Sequence, residues 1–478
     1  MLSSPREDRE AATEHTAEIL ADYYVNPDVR ARICEYCGGG PQAPFTALQV
    51  AAYGGRRCLR EPDGAPVAAP NGHWTAALED GADICRSLAD SGGTLLQLDV
   101  DYTNIRDPGE PYRRPEACFS ALEPVHEAIL GALADYGVRP LALMTGRGYH
   151  YTVRAPLGSP LHTALVEIGR PSSSLRARYE RQGREDLLRG RAHDGAGRLL
   201  EHLAHETIRR LAGRSRVPVT MADVPAPDGG AFVCLDLTAY ADPLGERHSR
   251  CAFSSNQKAS MEGFAPEKPF VICLPRGRSA LASLLEVRED VRRSARLAFR
   301  EPARIPDARG GVAWVEEYRR SGLAFFHGEF DRGPYLEPAA WSSTYDTLDL
   351  RSLPACLAVP LEFPNPSLLR PVYLRAVALA LWGLGWHPRS IAGIVRSKYE
   401  RDHAWGTLWE RYDPAARADF YVRVFCGAVA DGLDDPASLT CASQLRMGVC
   451  EPGRCEHDWR ALFDAVGERL RRKAGRTA

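Results

Sequence analysis

Lysine is almost missing from this chain. Among 60 basic residues it occupies positions 258, 268, 398 and 473 and arginine fills the rest. That bias fits a GC-rich coding sequence as readily as a phosphate-binding role, and it makes Lys258, the one lysine of a polar loop, worth following. A dominant charge is lacking too, since 62 acidic residues leave a net charge of −2. No global field therefore attracts a polyanion, and any nucleic-acid surface has to be a local basic patch. Long apolar runs are missing as well. The strongest, Val372 to Leu384, is broken by Arg375 and is too short for a bilayer, so it reads as a buried core helix and no membrane partner is expected. The opening MLSSPREDREAATEHTAEIL is charged rather than leader-like and reads as an amphipathic helix, so a cytoplasmic location is expected. Neither an internal repeat nor a low-complexity tract stands out. A disulfide framework is not expected either: thirteen cysteines are an odd number in a long chain, and they suggest free thiols together with a metal site.

What is present, 44% apolar and 26% charged residues over 478 positions, is the composition of a globular protein of about two to four domains. Residues 1–90 form an N-terminal region holding a Gly/Pro-rich stretch with Cys34, Cys37 and Cys58, three thiols too loosely spaced to define a site. Residues 91–300 show strands at Thr94–Val100, Leu141–Met144, His150–Val153 and Phe232–Leu237, a further strand in PFVICLP, and helices near Pro115–Tyr136, Leu199–Leu211 and up to Leu297. Residues 301–366 are dense in Pro and Gly with little periodicity, which predicts a connecting segment. Residues 367–478 read as a helical C-terminal domain. The class expected is α+β, a mixed or antiparallel sheet with flanking helices followed by that helical domain.

The chemistry concentrates in four places. In LLQLDVDYTN an extended strand puts Gln97, Asp99 and Asp101 on one face and Leu96, Leu98 and Val100 on the other, so two carboxylates lie about 6–7 Å apart on one surface. Alone, such a pair is most often an acidic solvent face; it is also a pair of hard oxygen ligands for a divalent cation. Asp236, ending the strand FVCLDL, is a weak signal by itself, since an Asp often closes a strand before a turn. In LMTGRGYHYTV, Gly146 and Gly148 flank Arg147 and let backbone approach a phosphate, with Thr145, Arg147 and His150 as donors; the plain alternative is a hairpin turn. In RHSRCAFSSNQK, the residues Arg247, Arg250, Ser254 and Lys258 can neutralise phosphates or simply form a solvated loop.

Taken in order, DVD, TGRGYH, LD and an R…S…K loop, the set over roughly Leu95 to Leu297 resembles the archaeo-eukaryotic primase, or primase-polymerase, superfamily. Cys251-Ala252 stands where that family often has a Pro. The resemblance implies that Asp99, Asp101 and Asp236 are catalytic and bind Mg2+ or Mn2+. It implies that Thr145, Arg147, His150, Arg250, Ser254 and Lys258 contact the incoming nucleotide. The activity implied is template-dependent DNA primase and polymerase activity, a nucleotidyl transfer. Single-stranded DNA template, nucleoside triphosphates and a replicative helicase are the partners implied. The chemistry this asks for is attack of a 3′-hydroxyl on an α-phosphate between two metals.

Cys426, Cys441, Cys450 and Cys455 crowd into thirty residues near a Gly/Pro turn, with His457 as a substitute ligand. Four thiolates suit either Zn2+ or a 4Fe-4S cluster, and the spacing does not choose. Helical domains of this kind accompany some primases and assist initiation, which the resemblance extends to this region. Two other classes compete. One is a non-catalytic single-stranded nucleic-acid-binding protein with a Cys-bound metal. The other is a glycosyltransferase that uses the DxD for a sugar nucleotide, in which TGRGYH and the Arg/Lys loop would have no role.

Overall fold

The computed structural model describes residues 18–40, 45–51, 67–69, 74–226, 230–261, 263–264, 269–275, 279–362, 366–402, 412–450, 453, 455, 458–460, 462 and 464. Cys58, His457 and the basic C-terminal tail lie outside them. Ten strands occur among these residues: β1 Ala47–Ala51, β2 Val67–Ala69, β3 Ile84–Asp90, β4 Gly93–Asn104, β5 Leu141–Met144, β6 Gly148–Pro156, β7 Val219–Met221, β8 Ala231–Asp236, β9 His248–Arg250 and β10 Ile272–Cys273. With the helices they make a mixed α+β protein. The chain divides into two compact units, Met1–Ala164 with Leu244–Gly311, and Leu165–Pro243 with Val312–Ala478.

In the first unit the strand order is β10-β5-β6-β4-β3-β1-β2, antiparallel throughout, with β9 added to β3. β4 is the strand that alternation predicts. Leu96, Leu98 and Val100 are buried, and Asp99 and Asp101 are half-buried on the opposite face. The Pro115–Asp135 helix packs on β4 and β6 and buries Phe119, Leu122, Val125 and Ile129. Two tyrosines of β6 tie it down: the Tyr149 hydroxyl donates to Glu123 Oε1 at 2.5 Å, and the Tyr151 hydroxyl lies 2.7 Å from His126 Nδ1. Because successive strand residues point to opposite faces, this anchoring turns His150, between them, to the acidic face of the sheet.

The second unit is mainly helical and carries β7 and β8 as a parallel pair. Its longest helix, Arg184–Arg210, begins fifteen residues before the apolar stretch near Leu199 that predicts it. The early half is polar and glycine-rich, and burial rather than propensity holds it: Gly195 lies so close to the neighbouring chain that a Cβ there would sit 2.1 Å from the Leu165 carbonyl oxygen. Charged groups inside this unit are paired. Arg198 bridges Asp194 at 2.8 Å and Asp331 at 2.8 and 3.0 Å, and Glu201 receives Arg423 Nε at 3.3 Å and faces His327 Nε2 at 3.2 Å.

The stretch 301–366, expected as a connecting segment of little periodicity, contains regular helices. It forms the Gly311–Arg320, Gly322–Arg332 and Ala355–Glu362 helices. Trp314, Val315 and Tyr318, then Leu323, Phe326 and Phe330, recur at helical spacing and are buried. Two of the glycines that suggested loops open helices, one behind the Ser321 cap, whose Oγ accepts from Ala324 N. The Pro371–Gly383 helix is the buried core helix expected from its apolar run. No helix among the described residues is long and apolar enough to cross a membrane.

Candidate functional site

The β4–β6 register sets Asp99 opposite His150 and Asp101 opposite Gly148. His150 Nε2 lies 3.6 Å from Asp99 Oδ1, while Gln97 Nε2 donates to the same oxygen at 2.9 Å. His150 Nδ1 is buried and has no hydrogen-bond partner among the described residues. Arg147 reaches back across the turn and donates to Asp101 Oδ2 at 2.6 Å. Gly148 makes this closeness possible, since a Cβ there would stand 1.8 Å from the Val100 carbonyl oxygen, well inside contact distance.

The turn itself is closed by Thr145. Its backbone N–H donates to the Gly148 carbonyl at 2.8 Å, and its hydroxyl donates to that carbonyl and accepts from Gly148 N. The Thr145 hydroxyl, expected to meet phosphate, is therefore engaged within the turn. Arg288, 1% exposed, supports the turn from inside by donating to the Thr145 and Gly146 carbonyls at 3.1 Å each, with its guanidinium 4.9 Å from the Phe119 ring centre. Burial lowers its pKa, and Glu289 offsets part of that.

The second basic segment is organised by a carboxylate that the motifs do not mark. Asp83 is fully buried just before β3 and accepts from Arg250 Nη2 at 3.1 Å, from Gln257 N at 2.9 Å and from the Ser255 hydroxyl. Burial raises the Asp83 pKa, and Arg250 works against that rise. Arg250 Nη1 also donates to Asn256 Oδ1 at 2.8 Å, so its guanidinium is held from two sides. Phe253, fully buried at φ 62°, takes the left-handed conformation that a bulky residue adopts only under constraint, and the loop bends there. Ser254 is fully buried, accepting from Ile84 N at 2.8 Å and donating to the Ser255 carbonyl, so it works inside the loop.

Asp101, Thr145, Arg147, His150, Arg250 and Lys258 line one cleft of about 200 Å³ in the first unit. Asn256 lines it too, and Tyr112 and Phe264 give it two aromatic walls. Burial raises the Tyr112 pKa. Cations from two separate loops thus meet an acidic strand face beside flat apolar surface, an arrangement able to hold a polyphosphate and an attached aromatic ring. Asp236 lies in the second unit, where it ends β8 and its Oδ1 accepts from Thr238 N at 2.8 Å, opening a short 3-10 turn.

Asp99 and Asp101 are hard donors on one face, and the Arg147 guanidinium occupies the position of a cation beside Asp101. The donor chemistry fits a divalent ion. Among the described residues, however, no three His, Cys, Asp or Glu side chains are gathered closely enough to hold an ion. Of the cysteines, Cys34 is half-buried and Cys37 is buried with its sulfur 3.5 Å from that of Cys251. Cys426 is buried within the Pro414–Ala430 helix. Cys441, Cys450 and Cys455 line a separate cavity in the second unit, and the fourth thiol there is Cys356. Compared with known proteins, the chain matches no family model and no curated relative.

Proposed function

We propose that this chain is a template-dependent nucleotidyltransferase of the primase-polymerase kind, joining nucleoside triphosphates on a single-stranded DNA template. One observation carries the reading: Asp101 of β4, His150 on the strand in register with it, and cations from the Arg147 turn and the Arg250–Lys258 loop converge on a single cleft, with Asp99 beside it on the same strand face. Asp236 enters through the family resemblance alone. Bound Mg2+ or Mn2+ would supply charge neutralisation and an activated hydroxyl, held by Asp99 and Asp101. The chain's own part is positioning. Arg250, fixed by Asp83 and Asn256, presents a preset fork to phosphate oxygens, and Lys258 adds a point charge beside it. Arg147 is 45% exposed, so it can leave Asp101 for a phosphate when a metal takes its place. His150 donates to the triphosphate, and Tyr112 and Phe264 offer stacking surface to the base.

The test is incubation with single-stranded DNA, labelled nucleoside triphosphates and Mg2+ or Mn2+, with and without a primer. Products that follow the template and vanish in Asp101→Asn are expected. A folded protein that makes no product under any of these conditions overturns the reading.

A second reading, binding of single-stranded nucleic acid without catalysis, has its own supporting observation. On the Val291–Arg300 helix the residues Arg292, Arg293, Arg296, Phe299 and Arg300 are exposed along one face, with Phe299 70% exposed. Cations flanking a bare aromatic ring suit phosphates and a stacked base. Under the first reading this face holds template. Under the second it is the function, and the Asp99→Ala and Asp101→Ala variants would then lose nothing.

A further inference from the structure

We infer that Cys37 and Cys251 form a redox modification site, at which a small hydroperoxide joins the two thiols in a disulfide beside the Arg250 loop. Their sulfurs stand 3.5 Å apart although the residues are 214 positions apart in the chain, and both are fully buried. Both backbones are pinned. Cys37 caps the Pro27–Tyr36 helix, its N–H donating to the Ile33 carbonyl at 3.1 Å while its own carbonyl accepts from Thr46 N and Ala47 N. Cys251 extends the pairing of β9 with β3 and donates its N–H to the Ile84 carbonyl at 2.9 Å. To bond, the sulfurs have to close from 3.5 Å to about 2.05 Å, a movement shared by the side chains and the backbone that carries them. Arg250 immediately precedes Cys251, so the movement acts on the guanidinium held by Asp83 and Asn256.

The surroundings make one thiol the nucleophile and leave the other to resolve. Contact with Cys251 lowers the Cys37 pKa, burial opposes this, and the Arg86 guanidinium and the Gln49 amide add to the lowering. Cys251 moves the other way, raised by burial and then by Cys37. Cys34, half-buried three residues before Cys37, is pushed up to about 11 by burial and by Cys37, so it stays a thiol and does not compete. Gln49 is 0% exposed and its amide has no other hydrogen-bond partner among the described residues, the kind of buried polar group that calls for a chemical reason. A sulfur anion, or the hydroxyl of a sulfenic acid, supplies one. A cleft of about 30 Å³ lined by Tyr36, Gly38, Gly39 and Arg86 opens along the backbone on both sides of Cys37. It has room for hydrogen peroxide, a molecule little larger than water, and none for a tripeptide disulfide. The Cys37 thiolate attacks one peroxide oxygen, the O–O bond breaks, and the hydroxide released takes up the proton that Cys37 had lost, leaving a sulfenic acid. The Cys251 sulfur then attacks the Cys37 sulfur, the S–O bond breaks, and the departing hydroxide leaves with the Cys251 proton as water. Two thiols and one peroxide give one disulfide and two waters.

The test treats the full chain with hydrogen peroxide, then unfolds, alkylates and digests it with trypsin, which places Cys34 and Cys37 in residues 33–56 and Cys251 in residues 251–258. These two peptides should appear linked after peroxide and not before, and dithiothreitol should part them. A further cut after Glu35 separates Cys34 from Cys37 and should leave the link on Cys37. In Cys251→Ala the reaction should stop at a Cys37 sulfenic acid that dimedone traps, while Cys34→Ser should link as the unchanged chain does. No linked peptide after peroxide, or a link made through Cys34, overturns the site. Faster linkage by oxidised glutathione than by peroxide overturns the route through the cleft. One consequence rests on the proposed nucleotidyl transfer. The oxidised chain should incorporate nucleotides at least about 10-fold more slowly and recover with dithiothreitol, because a shift of about 1 Å in a positioning group is costly to the reaction. Linkage with unchanged incorporation overturns this coupling, whereas a chain that links but incorporates nothing in either state counts against nucleotidyl transfer alone.

Discussion

Asp101 pairs with a half-exposed arginine, an interaction worth at most about 1 kcal/mol. Removing its carboxylate should therefore cost little stability while deleting a proposed metal ligand. Asp99→Ala and Asp101→Ala are each expected to lower nucleotide incorporation by at least about 100-fold with melting temperature nearly unchanged, because metal ligation supplies several kcal/mol of transition-state stabilisation. Full activity in a folded Asp101→Ala protein would remove the site assignment. Gly148→Ala should behave the other way. A Cβ pressed against the Val100 carbonyl has to separate β4 from β6, so stability should fall by about 1–3 kcal/mol, read by denaturant melts, and activity should drop with it. The sequence made Asp99, Asp101, Arg147, His150, Arg250 and Lys258 legible because charged groups and glycines beside apolar strands are conspicuous. Asp83 and Arg288 were not legible: each sits in ordinary polar surroundings, GADIC and LEVRE, and only long-range pairing reveals that one fixes Arg250 and the other the Thr145 turn. Thr145 and Ser254 carried the opposite ambiguity, since a hydroxyl reads alike whether it serves a turn or a ligand.

Elements whose period matched their burial were readable to within a few residues, β4, β5 and the Pro115–Asp135 helix among them. Where Gly and Pro sit at helix ends rather than in loops, as between Gly311 and Arg332, composition points the wrong way while the apolar spacing points the right one. The Val291–Arg300 helix shows how an element-scale feature can hide in plain residues. Its four arginines look like an ordinary solvated face until Ser294 and Ala298 are seen buried against the unit, with Arg32 Nε donating to the Ala298 carbonyl at 2.8 Å. That fixes which side is left outward. Arg293 already pairs with Glu286, so Arg292, Arg296 and Arg300 are the residues to change. Replacing all three by glutamine should weaken binding of single-stranded DNA, measured by fluorescence anisotropy, and lower the salt slope by about 0.7 for each phosphate no longer neutralised. Affinity and slope both unchanged would mean that the strand lies elsewhere.

At the scale of the whole chain, the interleaving of residues 165–243 with 312–478 makes the second unit sensitive to pH and to cutting. Burial holds His193 and His202 down to about 4, below the ordinary 6.5, so the folded state requires both neutral. The stability this permits is fully present above pH 6.5 and is lost as pH falls from 6.5 towards 4, on the order of 3 kcal/mol per histidine. Glu201 adds to the loss. Burial pushes it up, but His327 and Arg423 outweigh that and hold it at about 2, so its contribution disappears between about pH 4.5 and 2. Tryptophan fluorescence melts between pH 8 and 3 should show this decline, and a flat profile from 7 to 4 would contradict it. Cutting the chain after Pro366 tests the same network by another route, and it bears on whether the proposed extension and initiation of DNA chains can be separated. The truncation removes Arg423 from Glu201, Arg417 from Asp242 and Asp431 from His205. Glu201 and Asp242 are 0% and 1% exposed, and leaving a buried carboxylate without its partner costs about 3–5 kcal/mol each, comparable with the stability of a whole domain. The truncated chain should therefore lose the fold of 165–243 while the strand pairings internal to the first unit, such as β4 with β6 and β5 with β6, remain protected. Limited proteolysis with mass analysis of the fragments reads this directly. Loss of activity in such a truncation would report unfolding, so a role in initiation has to be sought with single substitutions at exposed positions of the C-terminal region. If 165–243 stays resistant to protease in the truncated chain, the pairs to Arg423 and Arg417 are not what holds this unit, and its stability must reside in the Arg184–Arg210 helix and its partners before Pro366.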